Sequence, residues 1–247
     1  MTWFRYRPGE KGPDPHIHKH HTDAFYVLEG ELELALGPEL TPVRAPAATF
    51  AAAPPNVVHT FRNASDATAI FLNVHAPSME FGDHIRGRGE GFDQHDPPDD
   101  GGRPFTDAVV SGPDEGERLE GHSTTIVKAG GHDCDGQLAV FETVVAAGSA
   151  GPPLHLHRRT AETFFVLDGT FEFTAGDEDA LLEPGSFALA PPGFAHTFAS
   201  HGDTPARCLT IAGPAGVEGF IREAVSADSA RLSELGPPHD TFLRQRG

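Results

Sequence analysis

The feature that most constrains this chain is that it repeats itself. "DAFYVLEG" (Asp23 to Gly30) matches "ETFFVLDG" (Glu162 to Gly169), and "PPNVVHTF" (Pro54 to Phe61) matches "PPGFAHTF" (Pro191 to Phe198), in the same order and at similar intervals. Two blocks in step mark an internal duplication, and a duplication sets the architecture before any single element is assigned. At 247 residues the chain has room for two domains of ordinary size.

Both copies read as β almost throughout. Segments such as "AFYVL", "ELELAL", "AIFLNV", "TFFVL", "TFEFTA", "SFALA" and "CLTIA" are short, rich in Val, Ile, Phe and Thr, and bounded by Gly, Pro and Asp. Strand alternation puts Phe171 and Phe173 on one face and Glu172 on the other, and predicts that Phe187 and Leu189 likewise share the inward face. Val217, Phe220, Ile221 and Val225 follow helical spacing, which predicts a short amphipathic C-terminal helix packed on the second copy. The stretch "GDHIRGRGEGFDQHDPPDDGGR" is dense in Gly, Asp and Pro and predicts a linker at 82–104, between domains at 1–81 and 105–247.

Only 15 residues precede His16, whereas about 50 separate that linker from His155, so the first copy lacks a strand equivalent to "STTIVKA". A strand from the linker region, from the tail "DTFLRQRG" or from the second subunit of a homodimer is expected to complete its sheet. An uncovered edge would invite aggregation.

Charge narrows the partners. With 36 acidic against 18 basic residues the net charge is -18, which repels a phosphate backbone and an anionic lipid surface, and no Lys/Arg cluster reverses it locally. No nucleic acid or membrane partner is expected. No apolar run approaches the roughly 18 residues that span a bilayer, and "MTWFRYRPGEKG" lacks the apolar core of a signal peptide. Cys134 and Cys208 are too few for a disulfide framework. A cytoplasmic protein is the expectation.

The chemistry gathers around histidine. His155 and His157 are two apart, so on a strand both imidazoles face one cavity. Glu162 follows after a turn at the head of a strand, and His196 follows the "PPG" turn. Three neutral imidazoles and one carboxylate suit Fe, Mn, Ni, Cu or Zn and leave coordination positions open. The first copy offers His16, His18, Asp23 and His59 at the matching places, so one or two divalent transition metals per chain are expected. Asp for Glu shortens the arm by roughly 1.5 Å, large against a tolerance of about 0.2 Å in ligand distance. The first site therefore binds through three histidines, shifts its geometry, or binds weakly.

Other residues receive plainer readings. His20 and His21 have no counterpart in the second copy and are expected on an exposed turn; His75, His84, His95, His122, His132, His201 and His239 are expected to be structural. Phe164, Phe171, Phe173, Phe187 and Phe198 are expected mainly to pack the barrel, although some could line an aromatic pocket. Arg158 and Arg159 read as solvated surface.

At these residues the chain resembles the cupin superfamily, and specifically a bicupin. His155, His157, Glu162 and Gly169 meet the H-x-H-x4-E-x6-G pattern, with Gly151 ahead of them. Gly185, Pro191, Gly193 and His196 meet the second cupin pattern, with Ser200 in place of its Asn. The first copy keeps Pro54, His59 and Asn63 but has Asp23 for the Glu, and Ala48 and Asn56 for the two glycines. The resemblance implies an all-β fold of two tandem double-stranded β-helix (jelly-roll) barrels. The paired "FYVLEG/FFVLDG" strands are similar to the quercetin 2,3-dioxygenase-like group, which implies a bound divalent metal, a small aromatic or enolisable substrate and attack by O2. In that reading Glu162 also accepts the substrate's hydroxyl proton as general base. The rival readings are a non-oxidative isomerase, cyclase or lyase, and a small-molecule-binding protein without turnover.

Overall fold

The computed structural model describes residues 1–88, 91–121, 123–225, 227 and 229–244. The described chain is mostly strand and divides into two compact units, residues 1–115 with 132–137, and residues 116–131 with 138–247. The boundary thus falls after Glu115 rather than within 82–104. The expected linker belongs to the first unit, because its Asp93 and His95 hydrogen-bond back to the segment from Ile17 to His21.

The first unit contains β1 (Thr2–Tyr6), β2 (Thr22–Glu29), β3 (Glu31–Leu36), β4 (Thr41–Pro46), β5 (Phe50–Ala53), β6 (His59–Arg62), β7 (Ala69–Ala76), the short helix α1 (Phe81–His84) and β8 (Val109–Ser111). They form one sheet in the order β1-β7-β2-β5-β8 and a second in the order β4-β3-β6. Phe25, Val27, Leu32, Leu34, Leu36, Phe61 and Phe71 fill the space enclosed, as strand alternation requires.

The second unit contains β9 (Glu117–Glu120), β10 (Thr124–Ala129), β11 (Ala139–Val145), β12 (His155–His157), β13 (Ala161–Asp168), β14 (Thr170–Ala175), β15 (Glu178–Leu182), β16 (Phe187–Ala190), β17 (His196–His201), β18 (Ala206–Gly213), helices α2 (Val217–Ala224) and α3 (Ser229–Leu235), and β19 (Thr241–Leu243). Its sheets run β16-β13-β18-β11-β10-β9 and β15-β14-β17-β12-β19. The expected helix is α2.

The duplication extends to irregularities. The pairing of β2 with β7 slips by one residue between Val27 and Glu29, and that of β13 with β18 slips between Val166 and Asp168. Each bulge is followed by a glycine with positive φ, Gly30 at 71° and Gly169 at 69°. A Cβ on Gly169 would stand 2.5 Å from the Pro205 carbonyl oxygen, and on Gly30 2.3 Å from that of Thr68. The glycines end the "VLEG" and "VLDG" blocks because no side chain fits there.

Two expectations need correction. Phe187 and Leu189 are 49% and 50% exposed, while Ala188 and Ala190 point inward. Both faces of "FALA" are apolar, so alternation alone could not say which is inside. The added strand of the first sheet is β8, which pairs with β5. It sits on the opposite edge from the one anticipated: β1 occupies the place of β11, and among the described residues no strand lies outside β1 as β10 lies outside β11. The tail strand β19 joins the second unit's own sheet.

The first copy's glycine substitutions retain the glycine backbone. Ala48 and Asn56 both have φ of 66°, beside 85° and 83° at Gly185 and Gly193. Asn tolerates this region, whereas Ala pays a steric cost of about 1–2 kcal/mol. Ala48→Gly is therefore expected to stabilise the protein by about 1 kcal/mol, and Gly169→Ala to destabilise it by about 1–3 kcal/mol, in denaturant titrations. Equal midpoints for both variants and wild type would contradict this.

Candidate metal centres

In the second unit, β12 carries His155 and His157 on one face, and β17 pairs with it so that His196 lies directly opposite His155. Glu162, near the start of β13, completes the set: the four groups are buried and their ligand atoms lie within 4.8 Å of one another. Glu162 Oε2 is 2.8 Å from His196 Nε2, 3.1 Å from His157 Nε2 and 3.9 Å from His155 Nε2.

The first unit repeats this with His16, His18, Asp23 and His59, again buried and within 4.8 Å, and His16 bridges to His59 as His155 does to His196. The shorter carboxylate stands further back. Asp23 Oδ2 is 3.3 Å from His59 Nε2 and 3.7 Å from His18 Nε2, and its Oδ1 accepts a hydrogen bond of 2.5 Å from Asn73 Nδ2.

The hydrogen bonds on the outer side of these rings identify what the inner side needs. Nδ1 of every one of the six histidines contacts a main-chain carbonyl: His16 that of Asp14, His18 that of Asp93, His59 that of Val57, His155 that of Pro153, His157 that of Asp240 and His196 that of Phe194. A carbonyl only accepts, so each Nδ1 carries the proton, and in a neutral ring each Nε2 turns a lone pair inward. His18 Nε2 and His59 Nε2 are buried without any hydrogen-bond partner. Lone pairs and a carboxylate converging in a buried space repel unless a cation lies among them. The residues therefore fit a divalent metal in each unit, held by three Nε2 atoms and one carboxylate oxygen.

The electrostatics agree. Burial, reinforced by the neighbouring histidine, lowers His155 and His16 to about 3, so both rings are neutral. Burial works against ionisation of Glu162 and Asp23, but the surrounding histidines outweigh it and hold both carboxyls well below their usual range. His157 differs: burial opposes its charge, yet contact with Glu162 raises it.

Several residues read as plain from the sequence shape the sites. His21 is fully buried, not on an exposed turn; only His20 is exposed. A chain of contacts links Asp93 Oδ2 to His21 Nδ1 at 3.0 Å, His21 Nε2 to His75 Nδ1 at 2.8 Å and His75 Nε2 to Asn73 Oδ1 at 2.9 Å, ending at Asp23. His18, His21 and His75 form a further buried cluster, but His18 and His21 stack face to face with centroids 4.0 Å apart. Stacked rings cannot aim their in-plane lone pairs at one ion, so the cluster supports Asp23 rather than forming a third metal set. Register is the signal that could have found it, since His75 lies opposite Asp23 on β7, where Ala212 lies opposite Glu162 on β18.

Arg158 lies over the Phe242 ring at 4.0 Å and Arg159 approaches Asp240 at 3.6 Å, and neither lines the second unit's cavity. His95 bonds Asp93, His84 stacks on Phe92, and His132 and His239 pair with Asp133 and Glu223. His122 lies outside the described residues.

Comparison with known proteins settles the family. The cupin domain model matches residues 2–75 and again 141–212. The chain belongs to the cupin family, with two cupin domains. It is 41% identical over 87 residues to quercetin 2,3-dioxygenase of Bacillus subtilis (strain 168), a match spanning 34% of this chain and 25% of that protein. Among solved structures it is similar to an oxalate decarboxylase of Lactobacillus farciminis, with a TM-score of 0.60 and 10% identity over 85% of this chain and 75% of that one. It is equally similar to the 11S globulin procruciferin of Brassica napus, at 0.61 and 10%, with the same coverage. Neighbours so differently named share a fold and not a chemistry.

The pKa shifts carry a prediction for the metal-free protein. Below pH 6.5 unfolded histidine takes up a proton that folded His155 and His16 refuse down to about 3. Their contribution is therefore fully present above about pH 6.5 and lost as pH falls towards 3; the depressed carboxylates add to the loss lower in the range, and raised His157 opposes it. Thermal unfolding of apo protein should show Tm falling steadily from about pH 6.5 to 4. A flat profile there would contradict the assignment of neutral rings.

Proposed function

We propose that the protein is a metal-dependent dioxygenase that takes a small aromatic or enolisable substrate in its second unit. The observation that carries this reading is a cavity of about 380 Å³ in that unit, with His155, His157 and Glu162 on its wall. A space of this size admits a small organic molecule.

The cavity's lining states what it would accept. Phe141, Phe164, Phe198, Val217, Phe220 and Ile221 supply apolar surface, and Thr125, Thr143 and Thr210 supply hydroxyls. Among the described residues, no Lys or Arg lines it. A small dianion would be buried there without side-chain counter-charge, whereas a flat, mostly apolar molecule with an enolic hydroxyl would be satisfied. Val217, Phe220 and Ile221 of helix α2, with Val225 just past its end, form one apolar wall.

A divalent transition metal held by His155, His157, His196 and Glu162 would supply a Lewis-acidic centre for the enolate oxygen and a path for electrons to O2. The protein's own part is proton handling and orientation. Glu162 is held ionised beside the ligand histidines, placed to accept the proton of the substrate hydroxyl. His157 keeps its Nδ1 proton on the Asp240 carbonyl and its Nε2 3.1 Å from the Glu162 carboxylate, so it serves as a ligand beside the base and not as a proton carrier. The partial identity to quercetin 2,3-dioxygenase supports the same reading.

Oxygen uptake with a flavonol is the test. Uptake is expected to vanish on chelation or with His157→Ala, and Glu162→Gln is expected to lower kcat by about 100-fold or more. Undiminished turnover under anaerobic conditions would move the protein to the non-oxidative isomerases, cyclases or lyases. Ligand binding with no turnover would make it a binding protein.

A further inference from the structure

Of the six ligand histidines, four are oriented by their own local turn, each donating from Nδ1 to the carbonyl two residues earlier. The remaining one in each unit is oriented by a distant segment. His18 donates to the carbonyl of Asp93 and His157 to that of Asp240, which lie 75 and 83 residues further along. The two segments are otherwise unalike in length and setting, since one follows α1 and the other follows α3.

Each segment docks in the same way. The Asp93 carboxylate accepts from the main-chain N–H groups of Lys19, at 3.1 Å, and His20, at 2.7 Å. The Asp240 carboxylate accepts from those of Arg159, at 2.7 Å, and Thr160, at 3.2 Å. Each thus caps the turn that follows the H-x-H pair. Just beyond it the chain runs antiparallel to that pair, through a bridge of Ile17 with His95 and through pairing of β12 with β19. Asp240 adopts φ of 59°, a left-handed conformation that Asp tolerates better than a branched residue, and this turns its carbonyl and its carboxylate towards β12 together.

We propose that Asp93 and Asp240 are positioning residues, one per unit, that set the affinity of each metal site by docking a C-terminal strap whose carbonyl fixes the tautomer and plane of His18 or His157. This rests on the metal reading of the two sites. A histidine free to rotate loses that preorganisation, and removal of such outer partners weakens metal binding by roughly 10–100-fold.

Full-length protein, stripped of metal and titrated with Co²⁺ against a competing chelator, reads this without reference to turnover. Wild type is expected to bind two equivalents. Asp240→Ala is expected to weaken one by roughly 10–100-fold and shift its visible absorption bands, and Asp93→Ala to weaken the other. Asp240→Asn should restore wild-type behaviour, because the amide oxygen accepts from the same two N–H groups. Adding Asp240→Ala to His157→Ala should cost nothing more at that site, which separates positioning from a general loss of fold. Unchanged affinities and spectra in the alanine variants, or equal weakening of both equivalents by either one, would overturn the proposal while leaving the metal reading intact. A wild type that binds no Co²⁺ would remove both. If Asp240→Ala does not fold, Asp93→Ala and Asp240→Asn decide by the same outcomes.

Discussion

The structure depends on one small interaction made six times: an imidazole Nδ1–H donated to a main-chain carbonyl. It settles which nitrogen keeps the proton, and so turns the other six nitrogens into inward-facing lone pairs. A barrel could bury six histidines as packing. It would have no reason to give all six the same tautomer around two carboxylates. The strands exist to hold that arrangement, with His155 opposite His196 and His16 opposite His59 across paired backbones.

From this common base the two units have diverged by a handful of side chains. In the second, Thr210 and Ala212 stand where the first has Asn73 and His75, and the space beside Glu162 is part of a cavity walled by helix α2. In the first, the same register positions are filled by groups that bind Asp23 and hold its shorter carboxylate back from the histidines. Duplication has kept the ligand cage and varied what presses on it. That division gives the second unit a cavity beside its carboxylate and the first a more tightly braced site.

The sequence made the repeat, the β architecture and the eight residues of the two buried clusters legible, because each rests on short-range pattern: strand alternation, the H-x-H spacing, and turns punctuated by Pro and Gly. What it hid was long-range. The roles of Asp93 and Asp240 depend on segments 75 and 83 residues away from the histidines they orient, and no local pattern marks them. The burial of His21 and His75 follows from the register of β2 against β7, which hydrophobicity alone does not specify. The outward facing of Phe187 and Leu189 is hidden for a related reason, since an edge strand apolar on both faces gives alternation nothing to distinguish. The division between units was hidden because a Gly- and Asp-rich stretch can be a spacer or a docked strap, and only tertiary contacts tell them apart.

The most direct test of the central claim is anomalous diffraction from crystals grown with a divalent transition metal. The account predicts two peaks per chain, one about 2.0–2.2 Å from Nε2 of His155, His157 and His196 and one at the same distance from Nε2 of His16, His18 and His59. Peaks bonded to Nδ1 atoms, or peaks elsewhere with both histidine cages empty, would contradict it.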